Sequence, residues 1–149
     1  MEMREKIEDD FKQALKKRDK ITISTLRMLK AAIQNKEIEK KGEKLQDGEV
    51  IKIIDRQVQE HQDSIEQFTK GKRQELVEKE TGELEILKKY LPEQLSPQEI
   101  ANVVKRVITE TGAKGRSDFG KVMKLAMAEF GGKADGKLVS QIALTQLGS

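Results

Sequence analysis

The chain has 149 residues, 37% charged, 36% hydrophobic and only 3% aromatic, with a formal net charge of +3 and no cysteine. Disulfides, thiolate chemistry and Cys-ligated zinc are therefore excluded, and no run of roughly 18 uncharged apolar residues offers a membrane span. A charge-rich, aromatic-poor chain with two prolines suits long solvated helices and argues against sandwiches and barrels, so the expected class is all-α.

At this length the chain can hold one domain with a real core or two small helical units. The start, MEMREKIEDDFKQ, is charged throughout and has no apolar leader-like stretch, which makes a cytoplasmic protein the default expectation. Apolar residues then recur at helical spacing. Ile7, Phe11, Ala14 and Leu15 form a first stripe; Leu26, Leu29 and Ile33 form a second, after a connection over Lys16–Lys20. A third helix begins near Asp47 as its cap and runs along Val50, Ile54, Val58, Ile65 and Phe68. A fourth carries Val77, Leu84, Leu87 and Leu91, with Gly42, Gly48 and Gly71 punctuating the turns. Acid-then-base pairs four residues apart (Glu8 with Lys12, Glu37 with Lys41, Glu66 with Lys70, Glu75 with Lys79, Glu85 with Lys89) would each support a helix by ~0.2–0.5 kcal/mol and mark its wet face.

The charge density changes along the chain. Residues 1–90 hold 21 Lys/Arg and 20 Asp/Glu, whereas residues 91–149 hold 8 and 6. The change coincides with Tyr90-Leu-Pro92-Glu-Gln-Leu-Ser96-Pro97, where Pro92 stops a helix and Pro97 suits only a first turn. Ser96 and Glu99 form a capping box, so the expected organisation is an N-terminal helical domain over 1–91, of about four helices, and a three-helix C-terminal domain over 96–149. In the second domain Ile100, Val103, Val104, Val107 and Ile108 share a face before Thr111-Gly112. Ser117 is expected to cap a helix whose inner face is Phe119, Val122, Met123, Ala126, Met127 and Phe130, closed by Gly131-Gly132. Asp135 caps the last helix, with Leu138, Val139, Ile142 and Leu147 for burial.

The stretch GGKADGKL at 131–138 nearly matches a phosphate-binding loop, since Gly131, Gly136 and Lys137 fall into place. The match fails at Leu138, where a hydroxyl should hold magnesium, and the preceding segment is an amphipathic helix instead of a strand. A helix-ending glycine followed by an Asp-capped helix start explains the same residues. The helix start, flanked by Lys133 and Lys137, could still receive a phosphate of a nucleic acid backbone. From Gly112 to Lys137 the cations are Lys114, Arg116, Lys121, Lys124, Lys133 and Lys137, against Asp118, Glu129 and Asp135. Two basic, glycine-containing helix starts are expected to sit close together there, although an ordinary solvated surface accounts for such a cluster too. Phe11, Phe68, Phe119 and Phe130 lie on apolar stripes, which disfavours base stacking and favours a folded RNA held by shape and phosphates.

The run Arg73-Gln-Glu-Leu76 through Glu80, Glu83, Leu87 and Tyr90-Leu-Pro-Glu-Gln-Leu-Ser96 resembles the signature of the GatB/YqeY proteins. So do Asp118-Phe-Gly-Lys-Val-Met123 and Gly132-Lys-Ala-Asp-Gly-Lys137. The resemblance covers essentially the whole chain, and its size looks like that of a free-standing YqeY-like protein. It implies kinship with the tRNA-gripping tail of the GatB subunit of aspartyl/glutamyl-tRNA amidotransferase. The label that goes with that kinship is carbon–nitrogen ligase with glutamine as amido donor. It further implies tRNA as a partner, with a tRNA amidotransferase or synthetase beside it, and neither a membrane nor a small-molecule cofactor.

The residues support a module without catalysis of its own. Ammonia production from glutamine needs an activated nucleophile beside a base, and neither a Cys-His pair nor a Ser-Lys arrangement is visible. The single histidine, His61, lies on the third helix's stripe as a packed residue, and with no Glu three residues before it a di-iron bundle is not indicated, so no metal site is expected. Glu80 falls between Val77 and Leu84, where the seam expects an apolar residue. It either pairs with Arg56 or Arg27 or reaches water from an edge. Two functions follow: an accessory module binding tRNA through Lys114, Arg116, Lys121, Lys124, Lys133, Gly136 and Lys137, or a protein-interaction bundle without an RNA ligand.

Overall fold

The computed structural model describes residues 2–148. Its elements are α1 (Met3–Lys17), α2 (Lys20–Glu39), α3 (Asp47–Lys70), α4 (Gln74–Lys88), α5 (Pro97–Thr111), a 3₁₀ turn (Arg116–Asp118), α6 (Phe119–Phe130) and α7 (Gly136–Leu147). The described residues contain no strand, so the protein is all-α, as its composition implies. The helices gather into two compact units, one ending at Leu91 and the other beginning at Pro92.

In the first unit α1 and α2 form a tight hairpin. Arg18 closes α1 in the left-handed conformation at φ 56°, and Asp19 then caps α2 by accepting hydrogen bonds from the Thr22 N–H and hydroxyl at 3.3 and 2.7 Å. Reversal within two residues brings the helices' charged faces together, and this redirects the expected local pairs. Glu8 meets Lys30 at 2.9 Å instead of Lys12, and Glu37 meets Arg4 at 2.6 Å instead of Lys41. The second carboxylate also accepts from the Leu45 N–H at 3.0 Å, which pins the α2–α3 loop and helps bury Leu45. Of the five anticipated acid–base pairs, Glu66–Lys70 forms, at 3.5 Å.

The core of this unit is built from Ile7, Leu26, Leu29, Val50, Ile54 and Leu87, each at most 1% exposed. The stripes read from the sequence supply all six. Leu15 departs from its stripe and is 46% exposed, because the hairpin turn follows it at once. The start of α3 also differs from expectation. Gln46 caps it, in a box with Glu49, while Asp47 is freed to accept from the Met3 N–H at 3.0 Å and Gly48 lies inside the first turn.

The second unit is a three-helix arrangement in which α5, α6 and α7 all contact one another. Ser96 and Glu99 form the capping box, with Pro97 in the first turn, and Gly112 ends α5 at φ 68°. Gly131 ends α6 at φ 55°, a conformation that costs an L side chain about 1 kcal/mol or more and that glycine adopts freely. Ser117 does not cap α6; it sits in the 3₁₀ turn, and Asp118 leads into the helix. The α6–α7 loop is tied to the segment that precedes α5. The Leu95 N–H donates to the Lys133 carbonyl at 2.8 Å, the Gln94 amide donates to the Gly132 carbonyl at 2.9 Å, and Ala134 is 1% exposed. No helix among the described residues is long and apolar enough to cross a membrane.

Candidate functional site

The anticipated basic residues lie on the second unit's loops and on α6. Lys114 and Arg116 lie in the α5–α6 connection, Lys121 and Lys124 on α6, Lys133 in the α6–α7 loop, and Gly136 and Lys137 in the first turn of α7. Lys114, Arg116, Lys121, Lys124 and Lys133 are exposed, whereas Gly136 and Lys137 are partly buried. Among the described residues no carboxylate lies within ion-pair distance of the five exposed cations. The acids nearby are occupied. Glu129 pairs with Arg106, which also holds Glu110 at 3.1 Å, and Asp118 accepts from the Lys114 backbone N–H at 2.9 Å.

Two expectations about this surface need correction. The basic helix starts are not adjacent: they flank α6, whose 12 residues span about 18 Å. The cations are therefore strung along a helix length, with Lys121 and Lys124 three residues apart on one face between them. The N-terminus of α7 is also no open phosphate cradle. The Asp135 carboxylate already accepts from the Lys137 N–H at 3.0 Å, so an anion would meet a carboxylate in its place. Ammonium and guanidinium side chains are the groups this surface offers to an anion.

A second cluster was not anticipated. On α3, His61 is 9% exposed, and its Nδ1 lies 2.8 Å from the Gln57 carbonyl oxygen, one turn back. Its Nε2 lies 3.0 Å from Glu83 Oε2 and 3.5 Å from Glu80 Oε2, both on α4. Glu83 is only 5% exposed. The sequence located Glu80 on the seam; its side chain keeps 22% exposure, as an edge position would, but the charged group it meets is His61 and neither of the arginines considered. Arg56 instead pairs with Glu60 at 3.3 Å, and the Arg27 guanidinium lies 5.9 Å from the Phe11 ring centroid. Glu83 was missed, although its position three after Glu80 and four before Leu87 puts it on the inner face of α4.

The electrostatics of this cluster follow from its hydrogen-bond inventory. A carbonyl and a carboxylate can only accept, so both ring nitrogens of His61 face acceptors, and neutral imidazole has just one N–H to give. Burial pushes the imidazole toward its neutral form. The hydrogen bonds to Glu83 and Gln57 and the charges of Glu80 and Glu83 outweigh burial, holding His61 above its ordinary value of 6.5. The cluster therefore favours positive charge at Nε2, between the closely packed helices α3 and α4.

The model of the Yqey-like protein family matches residues 4–147, nearly the whole chain. Among curated proteins the chain is similar to altered inheritance of mitochondria protein 41, mitochondrial. It is 35% identical to that of Lachancea thermotolerans over 106 residues, covering 70% of this chain and 57% of the relative. The Saccharomyces cerevisiae protein of strain YJM789 is 34% identical over 85 residues, covering 57% and 46%, and that of Kluyveromyces lactis 34% over 84 residues, covering 56% and 45%. The chain thus spans about half the length of the curated relatives it matches. These relatives are named as mitochondrial proteins, which overturns the expectation of a cytoplasmic chain. That expectation rested on a charged start without an apolar leader-like stretch and on the lack of a membrane-spanning run, and neither feature distinguishes one aqueous compartment from another.

Proposed function

From the premise that this chain belongs to the YqeY-like family, we propose that it is an accessory module that binds tRNA through the cations of its second unit and has no catalysis of its own. One observation carries the reading. Lys114, Arg116, Lys121, Lys124 and Lys133 are exposed and free of ion pairs among the described residues, while the neighbouring acids are already engaged. Free cations strung over about 18 Å match a phosphate backbone better than a small anion, which would need a compact pocket. The hydrogen bonds to the Gly132 and Lys133 carbonyls fix the backbone from which Lys133 projects, though not its side chain. Phe119 is partly buried and Phe130 is 3% exposed, both in the core, so no aromatic platform in this unit presents itself to unstacked bases.

The amidotransferase connection belongs to the same reading: the module delivers or steadies tRNA beside an enzyme that supplies the chemistry. The purified chain is therefore expected neither to hydrolyse glutamine nor to amidate a misacylated tRNA unaided. The decisive experiment is binding of total tRNA to the full chain and to a Lys121→Glu, Lys133→Glu variant, with duplex DNA as control. The reading expects the double reversal to weaken tRNA binding by at least tenfold, and equal affinity of the two proteins would refute it.

A protein-interaction bundle is the second reading. Ile21 and Met28, seven residues apart on one face of α2, are 38% and 57% exposed, and apolar exposure of this kind can serve a partner. It expects affinity for tRNA and duplex DNA to be equally weak.

A further inference from the structure

We propose that His61, Glu80 and Glu83 form a binding site for a first-row divalent cation, of the zinc, cobalt or manganese class, clamped between α3 and α4. The Gln57 carbonyl fixes which ring nitrogen can act as ligand. Because a carbonyl only accepts, the Nδ1 at 2.8 Å keeps its proton, and Nε2, which points at the two carboxylates, is the nitrogen that exchanges its proton for a cation. This is the outer hydrogen bond that orients a ligating histidine and raises its basicity. The bond lies outside the cluster and points a nearly buried donor atom into it.

The distances suit coordination. The ligand atoms of His61, Glu80 and Glu83 all lie within 4.8 Å of one another. A cation bound at about 2.0–2.2 Å from each of three tetrahedral ligands would set them roughly 3.4 Å apart. The observed separations from Nε2, 3.0 Å to Glu83 and 3.5 Å to Glu80, bracket that value. The donors, one imidazole nitrogen and two carboxylate oxygens, are the intermediate-to-hard set that zinc, cobalt and manganese accept.

Charge favours the same conclusion. Among the described residues neither Glu80 nor Glu83 has a Lys or Arg within ion-pair distance, so two carboxylates share a single imidazole. A proton on Nε2 offsets one of the two charges; a divalent cation offsets both. The Glu80 side chain retains 22% exposure, which gives a route in and room for a water ligand, whereas Glu83 seals the inner side. Such a cation would tie α3 to α4 and so act as a structural clasp.

The test uses the full chain, stripped with a chelator and titrated with Co²⁺ and with Zn²⁺. The expected result is one saturable equivalent, with visible Co²⁺ ligand-field bands that Zn²⁺ displaces, and a thermal midpoint that climbs with free metal. Glu80→Gln, at the more exposed ligand, should weaken binding by roughly tenfold or more, with Glu80→Asp as a second variant and metal-free circular dichroism to confirm folding. Glu85→Gln, exposed on the same helix, should leave binding unchanged. Absence of a saturable equivalent, or equal affinity in Glu80→Gln and the parent, would overturn the proposal and leave a proton as the cluster's only counter-charge.

Discussion

Tyr90, the chain's single tyrosine, shows how one side chain can report on the fold. It is half-buried after the end of α4, donates its phenolic hydrogen to Asp10 of α1 at 2.6 Å, and has the Lys6 ammonium 5.7 Å from its ring centroid. Burial first, and then the hydrogen bond and charge of Asp10, push the phenol above its ordinary value of 10.0. The folded state therefore holds this proton more tightly than the unfolded state. The resulting stabilisation is fully present below pH 10.0 and is lost as pH rises through the higher folded value. In an alkaline titration followed by phenolate absorbance, ionisation should lag behind that of a free phenol, and in Asp10→Asn it should come earlier. Ionisation at the ordinary value with native circular dichroism would contradict this account. Asp10 and Tyr90 are 80 residues apart, and here sequence reading reaches its limit. Periodicity says which face a residue occupies, but the register of two packed helices decides what it meets there. Glu80 fell under the same limit: its seam position was legible, yet charge type alone offered arginine or water, while the α3–α4 register supplies His61.

At the level of elements, local signals were legible because their partners lie within one turn. The Ser96–Glu99 box with Pro97, the left-handed glycines 112 and 131, and the Asp135 cap all depend on neighbours in sequence. Apart from Ser117, taken up in a local 3₁₀ turn, errors fell where a distant group competes, as when the start of α1 recruits Asp47, or Arg4 and Lys30 draw Glu37 and Glu8 across the hairpin. Gly82 is a further case. It sits inside α4, where glycine costs a helix about 1 kcal/mol relative to alanine, and a Cβ there would come within 2.5 Å of the Ile21 Cδ1 of α2. The glycine thus makes room for a neighbouring helix at the expense of propensity. Gly82→Ala alone is expected to be close to neutral, since the gain is offset by displacing the tip of Ile21. In an Ile21→Val background, which lacks that tip, the same change should stabilise by about 1 kcal/mol. Urea unfolding of the four proteins in the cycle measures this, and an equal effect of Gly82→Ala in both backgrounds would show that Ile21 is not the constraint.

For the molecule as a whole, the class and the stripes were legible because burial of a helix face leaves a period in the sequence, whereas the placement of surface charge leaves none. We propose that the two units, each with its own core, unfold as separate cooperative transitions. Leu87→Ala and Ile100→Ala, at 0% and 1% exposure, should each cost about 2–5 kcal/mol, and in calorimetry each should lower one transition and leave the other in place. A single transition shifted by both substitutions would rule separate unfolding out. The proposed tRNA binding depends on Lys114, Arg116, Lys121, Lys124 and Lys133, and its most direct test is tRNA affinity across a salt series. If those cations neutralise phosphates, log affinity should fall against log salt with a slope of roughly −4, and Lys121→Gln with Lys133→Gln should flatten it by about 2. A slope near zero, or one the double substitution leaves unchanged, would mean that this surface does not hold RNA.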